Sequence, residues 1–117
     1  MATAQVLDAA ASETATPSAV VWINGRHAFM ALSSQDGRIS TSEITRAWST
    51  ETAYMAHVVG VIGDRERVVI LGPSSARLEL EREYVAMFHR PDRLVDVERA
   101  DALSPEEIID RLRTLAA

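Results

Sequence analysis

The chain has 117 residues, a formal net charge of −5, 47% apolar residues and no cysteine. That length suits one domain with a single core, and the lack of cysteine excludes disulfides and every thiolate-based zinc or redox site. The negative charge argues against non-specific binding to duplex DNA, whose affinity comes from phosphate neutralisation; a local arginine patch can still touch RNA. All twelve basic residues are arginine, a bias that reads as genome composition rather than mechanism.

Residues 1–19 are rich in Ala, Thr and Ser, with no Lys, Arg or aromatic side chain. They read as a flexible tail with room for a short helix at Gln5–Ala11, and they lack the charges of a secretory or transit signal. No apolar run is long enough to span a bilayer, so a cytoplasmic protein with no membrane partner is expected. Residues 20–117 then form one domain.

Asn24-Gly25 and Asp36-Gly37 are hairpin signals, because both pairs tolerate the positive φ of tight primed turns. They predict three antiparallel strands at 20–24, 27–33 and 39–46. In the third, Ile39, Thr41, Glu43 and Thr45 alternate with Ser40, Ser42, Ile44 and Arg46. Neither set is strongly apolar, which predicts an edge strand.

The period changes after Trp48. Ser49 or Thr50 can cap a helix whose first turn holds Glu51, and Tyr54, His57, Val58 and Val61 share one face at helical spacing. Gly63-Asp64 ends it. "RVVILG" reads as a central strand covered on both faces. The next helix runs from about Ser75 to Phe88, with Leu80, Tyr84, Met87 and Phe88 inward and Glu79, Glu81, Arg82 and Glu83 in solvent. His89-Arg90-Pro91 stops it. "RLVDVE" is a further strand. Ser104-Pro105-Glu106-Glu107 then has the form of a capping box with Pro at the first helical position, and Leu103 and Ile108 sit where a hydrophobic staple forms. The order β-β-β-α-β-α-β-α predicts an α/β protein with one mixed sheet and helices on both faces, which is the order of the ribonuclease H-like fold.

Two-metal nuclease chemistry needs several convergent carboxylates, and this chain does not offer them. The first strand has no acid, only the neutral Asn24 at its end; Glu51 stands alone. No metal, cofactor or catalytic residue is expected, and no G-x-S-x-G elbow supports a hydrolase. The turn after "RVVILG" matches neither phosphate-binding glycine motif, and Pro73 removes a backbone donor. Ser74 and Ser75 at a helix start, with Arg77 one turn in, make an anion site on general grounds. Capping by a serine, with Arg77 in solvent, accounts for the same residues more simply. The three histidines do not converge. His57 reads as a core histidine that could also act as a switch, and His89 as a favourable charge at a helix C-terminus.

"VVWIN" with its hairpin, the helix carrying Tyr54 and His57, and "RVVILGPSSARLELEREY" resemble small bacterial proteins related to the central domain of archaeal and eukaryotic peptide-release factors. Such proteins are often described as host-attachment or translational-machinery proteins. The resemblance runs from Val20 to the end. Its most specific part is the pattern Gly-Pro-Gly-x-Ala-Lys, matched by Gly72, Pro73, Ala76 and, conservatively, Arg77. Asn24 stands where the family often has Asp, and Ser74 replaces the second glycine of the pattern. The Gly-Gly-Gln loop of release factors has no counterpart, since the chain has no Gly-Gly pair and its glutamines are Gln5 and Gln35. The resemblance implies a ribonuclease H-like domain and a non-enzymatic accessory role at the ribosome or tRNA. The contact surface expected for it comprises Arg26, Arg38, Arg46 and Arg77. The alternative is a structural or interaction module that forms a homodimer through the 39–46 strand.

Overall fold

The computed structural model describes residues 15–117. They form β1 (Ser18–Ile23), β2 (His27–Ser33), β3 (Ile39–Thr45), α1 (Glu51–Ile62), β4 (Arg67–Gly72), α2 (Ala76–Phe88), β5 (Leu94–Arg99) and α3 (Pro105–Ala116), with a 3₁₀ turn at Pro91–Arg93. β1 and β4 are nearly continuous apolar runs, which are stable only where both faces of a sheet are covered. They lie parallel at the centre of a five-stranded sheet of order β3-β2-β1-β4-β5. β2 is antiparallel to both β1 and β3, and β5 is parallel to β4. This is the ribonuclease H-like fold.

The alternation of β1 sorts its residues between two cores. Ala19, Val21 and Ile23 face α1 and α2, packing with Tyr54, Val58, Ile62, Leu80 and Tyr84. Val20 and Trp22 face α3, packing with Ile108 and Leu112. β1 begins at Ser18, two residues before the expected Val20. A serine in a polar stretch reads as tail, but here Ser18 is buried and pairs with Arg67 across the sheet. Its N–H donates to Ser33 Oγ (3.0 Å) and its hydroxyl to the Thr16 carbonyl (2.7 Å), so burial costs it no hydrogen bond. Residues 1–14 of the tail expected at 1–19, including its helix at Gln5–Ala11, lie outside the described residues.

The two hairpin signals resolve differently. Gly37 has φ 83°, as an Asp-Gly turn requires. Gly25 is not in the left-handed region; instead Asn24 Oδ1 accepts from the N–H groups of Arg26 and His27 (both 2.8 Å), and this side-chain turn closes the β1–β2 link.

Thr50 caps α1, accepting from Ala53 N–H at 3.1 Å, and Gly63 ends the helix at φ 65°. The buried face is Tyr54, Met55, Val58, Val59 and Ile62, which leaves His57 exposed rather than in the core. This stretch is apolar almost all round, so the period does not choose a face; the larger Met55 and Ile62 do, by filling the space over the sheet. α2 buries Ala76, Leu80 and Tyr84, with Phe88 packed at the rim. Met87 stays 54% exposed, contrary to expectation, because the buried stripe follows every fourth residue and one position off it faces water.

α3 starts at the expected box: Glu107 N–H donates to Ser104 Oγ (3.2 Å), and Ser104 N–H donates to Glu107 Oε1 (2.9 Å). Those bonds hold the Glu107 carboxyl below its ordinary pKa. Ser104→Ala is expected to cost about 1 kcal/mol in chemical denaturation near neutral pH. The bonds favour the ionised carboxylate in the folded state. Their contribution is therefore present above the ordinary glutamate pKa and lost as pH falls through the lowered one, and the gap between variant and wild type should shrink below about pH 4. An unchanged midpoint at neutral pH would rule the box out.

Candidate functional site at the carboxyl end of the sheet

Because β1, β4 and β5 are parallel, their last residues share one end of the sheet. The start of β2, the end of β3 and the N-termini of all three helices lie there too. In open α/β sheets this is the end at which ligands bind. Of the residues singled out from the sequence, Asn24, Arg26, Arg46, Ser74, Ser75 and Arg77 are brought to it. Arg38 is not: it lies in the β2–β3 hairpin at the opposite end, paired with Asp36 at 3.4 Å. His57 is part-way along the solvent face of α1.

Several of these groups serve the fold. Asn24 uses its side-chain oxygen in the turn described above, and its carbonyl accepts from the Tyr54 hydroxyl at 3.0 Å. Burial pushes the Tyr54 phenol well above its ordinary pKa, so it remains a donor at any physiological pH. At the β4–α2 turn, Arg77 Nη1 donates to the Ser74 carbonyl at 2.6 Å, and Ala76 N–H reaches Ser74 Oγ only at 3.4 Å. Ser75 makes no side-chain cap. Arg77 thus spends one of its guanidinium donors on its own turn, which holds the chain direction there.

Arg26 and Arg46 differ. Among the described residues neither takes part in an ion pair; Arg46 Nε donates to the Ser49 carbonyl at 3.2 Å. With Gly25, Thr45, Ala47 and Ser49 they line an open cavity of about 640 Å³. The segments 24–27, 45–50 and 73–77 carry three arginines and no carboxylate. These three segments are therefore locally basic, while the first turns of the helices beside them carry Glu51, Glu79, Glu106 and Glu107.

Between two of the cavity-lining residues, Ala47 and Ser49, stands a tryptophan. Trp48 is 100% exposed, whereas Trp22 is buried with its Nε1–H donating to the Asp101 carbonyl at 2.9 Å. The turn beneath Trp48 is braced: Ser49 N–H and Ser49 Oγ both donate to the Arg46 carbonyl (2.9 and 2.6 Å), and Arg46 N–H donates to the Arg26 carbonyl at 2.7 Å. Ala47 holds φ 49°, a conformation costing a non-glycine residue roughly 1 kcal/mol. The available signal was a tryptophan within the polar run Thr45–Thr50.

Beside this region, Glu51 and Glu79 face each other in a groove of about 160 Å³ shared with Thr52, Met55, Arg82 and Glu83. The hydrogen bond with Glu51 raises the Glu79 pKa, with burial and the Glu51 charge adding to it. Twenty-eight positions apart, the two acids give no local signal of their meeting. Among the described residues no group of three or more His, Asp or Glu is placed to hold a metal ion. No described helix is long and apolar enough to cross a membrane.

No protein-family model matches the sequence, and no curated protein matches it significantly. Among solved structures the chain is similar to Pelota from Archaeoglobus fulgidus, with TM-score 0.67 and 12% identity over 96% of this chain and 35% of that one. It is also similar to Pelota from Thermoplasma acidophilum, with TM-score 0.62 and 19% identity over 95% of this chain and 36% of that one. The chain thus spans about a third of either Pelota chain, and at these identities what the two share with it is the ribonuclease H-like domain fold.

Proposed function

We propose that this protein is a non-enzymatic accessory factor of the translation apparatus, contacting the ribosome or tRNA with the carboxyl end of its sheet. The observation that supports the reading is the cavity with no acid in its lining that bears Arg26 and Arg46, whose guanidiniums have no ion-pair partner among the described residues. The fold shared with Pelota agrees with the release-factor resemblance in the sequence. Arg38 drops out of the proposed contact because it sits at the other end, and Arg77 supports the surface by bracing its turn. Without a Gly-Gly-Gln loop, the expected role is binding and not peptidyl-tRNA hydrolysis. Ribosome co-sedimentation at low salt tests this. Wild type should pellet with ribosomes, and the double variant Arg26→Gln/Arg46→Gln should bind several-fold more weakly with a shallower salt dependence. Wild type that stays in the supernatant at low salt would end the reading.

Self-association through β3 is a second reading, favoured by one feature of the ladder. The bonds Ser34 N–H to Arg38 O and Arg46 N–H to Arg26 O set the frame of β2–β3 pairing. Antiparallel bonds alternate, so the N–H and C=O groups of Ile39, Thr41, Glu43 and Thr45 point to the open edge. Thr41→Pro would then remove an outward donor without touching the native sheet, and should convert a dimer to monomer at unchanged stability. Wild type sedimenting as a monomer at high concentration would exclude this mode.

A further inference from the structure

We infer that Trp48 is a stacking platform for an unpaired RNA base, with Arg26 and Arg46 taking the phosphates on either side of it. This deepens the reading of the sheet end as an RNA contact by naming the substrate class and the residue that selects it. Trp48 is completely exposed, yet the turn that carries it is fixed by three hydrogen bonds, so the indole is displayed on a firm base. An aromatic face on a braced loop loses little freedom when a flat partner stacks on it.

The surroundings decide which partner fits. A protein hot spot built on tryptophan is normally ringed by groups that exclude water. Here the adjoining cavity is lined by two arginines, Gly25, Thr45, Ala47 and Ser49, with no large apolar side chain to seal it. Cations beside an exposed aromatic are the elements of single-strand recognition, in which the base stacks and the backbone follows the positive charge. A base within a duplex cannot present its face to the indole, so the preference is for loops, bulges or single strands. The overall charge of −5 acts the same way, because an acidic molecule gains nothing from the dense charge of a duplex beyond this one patch. The carboxylates of Glu51 and Glu79 near the patch limit how far the backbone can run towards α2 and favour a footprint of a few nucleotides.

Trp48 is fully exposed and Trp22 only 8% exposed, so the part of the fluorescence quenching that Trp48→Phe removes reports the contact. Titration of the full chain with a short single-stranded oligoadenylate at low salt should give saturable quenching. Trp48→Phe should retain binding, and Trp48→Ala should weaken it roughly tenfold or more, read by anisotropy of a labelled oligomer. Arg26→Gln and Arg46→Gln should each lower the salt slope by about 0.7. Trp48 makes no buried contact, so its loss should leave the circular dichroism spectrum unchanged. Absence of saturable quenching, equal affinity for an RNA duplex, or binding that Trp48→Ala leaves unaltered would each overturn the inference. A Trp48-dependent dimer that binds no oligomer would also overturn it. Oligomer binding without ribosome co-sedimentation would keep this inference and discard the translation reading; ribosome binding indifferent to Trp48 would do the reverse.

Discussion

Gly72→Ala is expected to lower stability by about 3 kcal/mol, the upper range for forced overpacking, with the melting temperature falling by roughly 10–20 °C. An added Cβ at this position would stand 2.1 Å from the Ile23 carbonyl oxygen. Real Cβ atoms never approach oxygen so closely, and the neighbour is backbone of the central strand β1, so no side chain can rotate to relieve it. Moving β4 away would break its parallel pairing with β1, in which Trp22 faces Leu71 one step before. The Gly72 carbonyl also accepts from Ala100 N–H at 2.9 Å, so a shift would loosen β5 as well. The Gly-Pro pattern that carries the family resemblance thus has a packing cause here: the glycine permits close approach of two strands, and Pro73 then turns the chain into α2. Thermal denaturation of the alanine variant measures this, and a loss below about 1 kcal/mol would show that the close approach can relax.

The second large effect is expected at Arg65. Its Nε donates to the Ser33 carbonyl at 3.1 Å, and its Nη1 donates to the Ile62 carbonyl at 2.6 Å, with Val61 O at 3.4 Å. One guanidinium therefore caps the C-terminus of α1 and ties it to the end of β2. Partial burial lowers the Arg65 pKa, yet an arginine stays charged throughout the physiological range. The Tyr84 hydroxyl meets the backbone of the same turn, 3.3 Å from the Arg65 carbonyl, so the site is closed from below by α2. Arg65→Met keeps much of the apolar stem but leaves carbonyls without a donor, and should cost about 2–3 kcal/mol. Arg65→Lys should recover only part of this, because a single ammonium cannot reproduce the fork that reaches two elements at once. Urea denaturation of the pair distinguishes the fork from the charge: full rescue by lysine would show that charge alone suffices.

Element order, the edge position of β3 and the capping box at Ser104–Glu107 were legible in the sequence because each signal lies within a few neighbouring residues. A box needs one serine and one glutamate three apart, and a buried strand needs an uninterrupted apolar run such as Val68–Leu71. The misreadings concern faces and partners. α1 is apolar on nearly every side, so only docking on the sheet shows that Met55 and Ile62 go in and His57 stays out. Arg38, Arg65 and Arg46 look alike in the chain. Tertiary structure pairs the first with Asp36, wraps the second around backbone carbonyls, and leaves the third without an ion-pair partner among the described residues. Trp48 follows the same logic. Tryptophan is on average a well-buried residue, and only the folded arrangement, with both cores already filled from other elements and Ala47 turning the chain outward, leaves this one in water. A side chain's chemistry is written in its codon, but whether that chemistry is free to act depends on groups tens of residues away that compete for it, and folding alone settles that competition.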